Sequence, residues 1–185
     1  MKRSSLIVTA LPQELAGQPI PHDAPVLFTG VGKVNATYAL TQAIIRSRPE
    51  LVVNFGTAGR VRESVHGLVE VSRVIQRDMI AEPLAPRGKT PFDDTSDVLS
   101  SGRSGVLCAT GDSFVMSRES WLDQQGVDVV DMELFAIALV CSRLGIPWRS
   151  YKYVTDDTNE DSAVDWQERA HHGRDLFLAE LDRIL

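Results

Sequence analysis

The sequence of 185 residues has no apolar run near the roughly 20 residues that a membrane-spanning helix needs, so no membrane association is expected. Cysteine is scarce. Cys108 and Cys141 both fall inside apolar segments and read as buried free thiols, not as a disulfide framework. His22, His66, His171 and His172 have no companion ligands at zinc-like spacing, and no metal site is expected. Positive charge is also short: 19 Lys and Arg against 25 Asp and Glu leave a net charge of −6, which argues against a general nucleic-acid backbone binder. There is no phosphate loop of the Gly-x-x-x-x-Gly-Lys type and no Gly-x-Ser-x-Gly elbow. Gly30-Val-Gly32 lacks the third glycine of the dinucleotide fingerprint, so no cofactor is expected. The basic start of the chain leads into only a short apolar stretch. That reads as a first strand, not a secretory signal, and a cytoplasmic protein is expected.

What is present is a chain with 43% hydrophobic and 24% charged residues, enough to bury one substantial core, and residues 1–185 read as a single domain. Strands are expected over residues 5–10, 25–30, 51–55, 67–77, 105–110 and 148–155, with a short β-like segment ending at Asp131 and Met132. Helices are expected from an opening at 31–35 through about 47, from 118 to 125, through the apolar run 134–141, and from 163 to 185. Gly56-Thr57-Ala58-Gly59 reads as a small-residue turn, and residues 78–104 as an irregular excursion. Strands alternating with helices argue for an α/β domain with a mixed or mostly parallel sheet.

Three carboxylates follow apolar segments, where strand ends would bring them toward one crevice: Glu14, Glu133 and Asp156. Each has an ordinary reading as well. Glu14 and Glu133 suit the first turn of a helix, and Asp156 suits a helix N-cap. Together they suit cleavage of a glycosidic bond, in which one acid protonates the leaving group and another orients water.

Six segments in order, Thr9-Ala-Leu-Pro-Gln-Glu14, Gly30-Val-Gly-Lys-Val34, Asn54-Phe-Gly-Thr-Ala-Gly59, Thr110-Gly-Asp-Ser-Phe114, Val130-Asp-Met-Glu133 and Tyr153-Val-Thr-Asp156, resemble the nucleoside phosphorylase/nucleosidase superfamily. Within it they are most similar to the 5′-methylthioadenosine/S-adenosylhomocysteine nucleosidases. The resemblance implies a single-domain, three-layer α/β fold whose central mixed β-sheet is flanked by helices. It implies hydrolysis of an adenosine-type purine nucleoside. Asp156 would donate a proton to purine N7, and Glu133, with the backbone of Met132, would hold the ribose hydroxyls. Glu14, helped by Thr57, would activate water; Phe114 would stack on the base and the main chain of Val115 would read its edge. A homodimer is implied, with Trp148, Tyr151 and residues 78–104 as candidates for its surface and core packing the plainer role for Trp148. Lys152 departs from the family's usual arginine, and the shortened 78–104 leaves the 5′ substituent open. The alternatives are a phosphate-dependent phosphorylase and a nucleoside-binding protein with a degenerate site. The first is disfavoured because Leu11-Pro12-Gln13-Glu14 and Asn54 stand where the phosphorylases carry arginines.

Overall fold

The computed structural model describes residues 4–15, 20, 24–117, 119–156 (Asp156 by its backbone alone) and 172–185. His22, His171, Asp157, the side chain of Asp156 and the first part of the expected closing helix lie outside the described residues.

The strands are β1 (Ser5–Thr9), β2 (Val26–Phe28), β3 (Leu51–Arg60), β4 (Leu68–Gln76), β5 (Leu99–Ser100), β6 (Val106–Thr110), β7 (Val129–Asp131) and β8 (Trp148–Asp156). The helices are α1 (Lys33–Ser47), α2 (Ser120–Gln125), α3 (Leu134–Arg143) and α4 (Arg174–Ile184), with a 3-10 turn at Pro12–Leu15 after β1. The sheet is mixed. β1 lies parallel between β2 and β3, and its five residues are all buried, as a strand covered on both faces requires. β8 lies between β3, to which it is parallel, and β4, to which it is antiparallel. β6 joins β4 to β7, and β7 returns antiparallel to β3 at Gly59 and Arg60. Strands β3, β8, β4, β6 and β7 therefore close a ring, with β1 and β2 extending it and β5 on the outer edge of β4.

Helices cover both sides, giving the expected three layers. In α1 the buried positions Ala36, Leu40 and Ile44 recur every fourth residue and pack with α3 against β1, β3 and β4. All but one residue of 134–141 are buried, the consequence of an apolar run with no polar face. On the opposite side Phe177 and Leu181 of α4 pack on β1, β3 and β8, and Phe177 stacks on Phe55 with ring centroids 4.3 Å apart. Leu122 of α2 joins a third cluster with β4, β6 and β7.

The small residues 56–59 are not a turn. They continue β3, paired with β8 throughout and with a register shift only between Ala58 and Gly59. Their smallness serves close approach: a Cβ built on Gly56 would stand 3.1 Å from Lys152 Nζ and 3.2 Å from Glu14 Oε1. Trp148 and Tyr151 are buried within this chain's own core, so neither offers surface to a partner. Cys108 and Cys141 are free and buried, and burial pushes the Cys141 thiol up to about 12, as expected of an inert cysteine.

Candidate active site

A cavity of about 250 Å³ opens where β1, β2, β6, β7 and β8 end, the usual ligand position of an open α/β sheet. Glu14, Thr57, Phe114, Val115, Met132 and Glu133 all line it, together with Thr155, the residue before Asp156. The backbone of Asp156 pairs with Gly59 at the end of β8, next to that wall.

Glu14 is held by the 3-10 turn that follows β1 and is 3% exposed. Its carboxylate accepts five hydrogen bonds. Oε2 receives the Thr9 hydroxyl at 2.7 Å and the N–H groups of Ala10 and Leu11 at 3.0 Å. Oε1 receives the Thr57 N–H at 3.0 Å and the Thr57 hydroxyl at 3.2 Å. Donors from two strand ends thus fix both oxygens, which satisfies a buried carboxylate.

Glu133 sits across the cavity at the entry to α3, where Oε1 accepts the Gly32 N–H at 2.8 Å. Gly30 and Gly32 have φ of 77° and 94°, a left-handed path open to glycine that aims this N–H at the acid. No other hydrogen bond reaches the Glu133 carboxylate among the described residues, so Oε2 is left for a ligand. Burial, reinforced by the charge of Asp131 and only partly offset by Lys152 and the Gly32 N–H, raises the Glu133 carboxyl to about 8.

Two further charged residues belong to this site. Asp131 ends β7, and its Oδ2 pairs with Lys152 Nζ at 2.8 Å; both side chains are almost wholly buried. Asp131 Oδ2 also accepts the Leu134 N–H at 2.8 Å and the Glu133 N–H at 3.4 Å, while Oδ1 accepts the Thr110 hydroxyl at 2.5 Å. Burial alone would raise the Asp131 carboxyl, but Lys152 holds it below the usual range. Burial would likewise lower Lys152, and Asp131 and Glu133 overcome that to raise it. The sequence marks Lys152 only as a departure from arginine; its partnership with Asp131 depends on β7 and β8 both flanking β3, which no local motif signals.

The outer wall is built by the segment after β6. Phe114 is half-exposed at the cavity mouth, and Val115 is buried beneath it. Arg77 lines this side, but its guanidinium donates to the Gly111 carbonyl, the Ser113 carbonyl and the Ser113 hydroxyl. Both terminal nitrogens hold the turn before Phe114, while the buried Nε has no hydrogen-bond partner among the described residues.

The comparisons agree with this geometry. The family model described as "Phosphorylase superfamily" matches residues 22–185. A 5′-methylthioadenosine/S-adenosylhomocysteine nucleosidase of Shewanella halifaxensis is 29% identical over 92% of this chain and 86% of its own. The nucleosidase of the same name from Geobacillus thermodenitrificans is 29% identical over 86% of this chain and 79% of its own. Among solved structures, a Helicobacter pylori nucleosidase mutant with 5′-methylthioadenosine in its active site has a TM-score of 0.85 at 19% identity, covering 99% of this chain and 100% of the other. The Helicobacter pylori futalosine hydrolase, as a mutant, reaches 0.86 at 17% identity over 97% of each chain. With the family model matching nearly all of the sequence, the chain belongs to the phosphorylase superfamily.

Proposed function

We propose that this protein is a purine nucleosidase that hydrolyses the N-glycosidic bond of an adenosine-type nucleoside, as the relatives' names suggest. The observation that carries the choice of water over phosphate is the environment of Glu14. Five donors at the ends of β1 and β3 already point at this carboxylate: two hydroxyls and three backbone N–H groups. A phosphate would have to displace a buried acid from five hydrogen bonds and then meet its negative charge. In Arg77, the arginine lining the cavity among the described residues, both terminal nitrogens are already committed to Gly111 and Ser113.

In this reading the base lies against Phe114, its edge read by the main chain of Val115. Asp156 supplies a proton to N7, turning the purine into a neutral leaving group as the C1′–N9 bond breaks. Glu133 accepts hydrogen bonds from the ribose hydroxyls, with Met132 alongside, and these strengthen as the sugar gains oxocarbenium character. Glu14, oriented by Thr57, takes a proton from the water that attacks C1′.

The same reading includes a homodimer and a cytoplasmic location. Val34, Tyr38 and Ile45 expose apolar surface along α1, and Phe114 does so at the cavity mouth, which supports a second copy covering apolar surface of this chain. Two free buried thiols suit a reducing compartment. Sedimentation would test the dimer. The activity is tested by incubating the protein with methylthioadenosine, adenosine and futalosine, with and without phosphate. Free base and reducing sugar in phosphate-free buffer are expected from at least one of them; strict phosphate dependence with ribose-1-phosphate as product would replace this reading with phosphorolysis.

A further inference from the structure

A lysine is costly to bury, and Lys152 is 1% exposed on β8, opposite Gly56 of β3 and Val69 of β4. Asp131, at the end of β7, faces it directly. Glu133 at the entry to α3 and Cys108 on β6 also act on its charge, and Glu14 lies on the same side of Gly56, its Oε1 3.2 Å and Lys152 Nζ 3.1 Å from one Cβ position. No role above uses it.

Its connections run one way. Lys152 Nζ holds Asp131 Oδ2 at 2.8 Å, and that same oxygen receives the N–H groups of Glu133 and Leu134. Oδ1 of Asp131 takes the Thr110 hydroxyl, whose oxygen in turn accepts the Phe135 N–H at 2.9 Å. The backbone that carries Glu133 and starts α3 is therefore pinned by the Asp131 carboxylate with help from Thr110, and the cation that balances this carboxylate is Lys152, while the Thr110 hydroxyl and the Cys108 thiol donate to its other oxygen. By contrast, the side chain that holds the Gly111–Phe114 turn of the opposite wall is Arg77, and the turn meets this chain of bonds through the backbone, where the Gly111 N–H donates to the Asp131 carbonyl at 3.0 Å.

We propose that Lys152 is a positioning residue for the sugar half of the site: through the Asp131 side chain it fixes the backbone and aim of Glu133, while the side chain that holds the base half is Arg77. This rests on the nucleosidase reading, in which Glu133 meets the ribose. The consequence is a separation of affinities. Removing the lysine should weaken ligands that carry the sugar and spare the free base.

The experiment compares adenine and methylthioadenosine binding by calorimetry at about pH 8 in an Asp156→Asn background, which stops turnover, with and without Lys152→Met and Lys152→Arg. Lys152→Met should weaken methylthioadenosine roughly ten- to hundredfold, the worth of a hydrogen bond to a charged group, with adenine within about twofold. Lys152→Arg keeps a cation on Asp131 and should restore most of the loss. Because Lys152→Met alone leaves Asp131 charged and unpaired, the double change Lys152→Met with Asp131→Asn provides a neutral pair that folds more readily and should show the same selective loss. Equal weakening of both ligands in these variants, or no weakening of either, overturns the proposal. If the parent protein binds neither ligand, the nucleosidase reading fails and this role falls with it.

Discussion

Nucleoside affinity should climb with pH while affinity for the free base does not. In the empty site Glu133 keeps its proton up to about 8, chiefly because burial disfavours the carboxylate and Asp131 repels it. Ribose hydroxyls donate to the ionised form, so binding the sugar releases one proton, and the population competent to bind grows as pH rises toward 8. For a group titrating near 8, the affinity lost to protonation is about 100-fold at pH 6, about tenfold at pH 7, about twofold at pH 8 and negligible at pH 9. Asp131 is held low and Lys152 is held high, so both keep their charges across this range. The assay is calorimetric titration of methylthioadenosine into the Asp156→Asn variant, where neither turnover nor the Asp156 proton intrudes, run at each pH in two buffers of different ionisation enthalpy. About one proton released per nucleoside at pH 7, with adenine showing no release, is expected. Glu133→Gln should abolish the slope. An affinity that is flat between pH 6 and pH 9, with no buffer-dependent heat, would refute the reasoning.

The same carboxyl bears on stability. A raised pKa means that the folded chain holds a proton the unfolded chain has lost, so the unliganded protein should lose stability as pH rises from about 4.5 to about 8, by up to a few kcal/mol; Glu133→Gln should flatten that decline in thermal melts. Glu14→Ala should reduce turnover by about 10²–10⁴-fold, and added formate, which fits the vacated five-donor cradle, should recover part of it. Gly56→Ala places a methyl 3.1 Å from Lys152 Nζ and 3.2 Å from Glu14 Oε1, and should cost about 1–3 kcal/mol in denaturant unfolding along with much of the activity. Phe114→Ala should weaken adenine by about 1–3 kcal/mol while leaving the melting temperature nearly unchanged, since the ring is half-exposed.

Strand positions were legible because apolar runs between turn residues leave few alternatives, and the alternation of strands and helices carried the α/β class. The acids Glu14 and Glu133 were legible for a similar reason: each sits where an apolar segment stops, and strand ends converge in such sheets. Gly56 to Gly59 were misread because small residues signal two different things. They permit a turn, and they permit a charged neighbour to approach a strand; only the pairing with β8 distinguishes these. The bond between Asp131 and Lys152 was hidden because it joins two strands that flank a third. Arg77 was hidden too, as an arginine at the end of a strand looks solvated until the Gly111–Ser113 turn folds over it. Of the expected 163–185 helix, residues 172–185 fall among the described residues; Arg174–Ile184 are a helix there, and His172 and Gly173 form a turn before it.

The central claim is that Glu14, Glu133 and Asp156 act on one nucleoside in one hollow. Its most direct test is a crystal structure of the Asp156→Asn variant soaked with methylthioadenosine. The expected result places the purine on Phe114 with N7 beside position 156, the ribose hydroxyls within hydrogen-bond reach of Glu133, and Glu14 facing C1′. A nucleoside bound elsewhere, or bound here with its sugar turned away from Glu133 and Glu14, would contradict it.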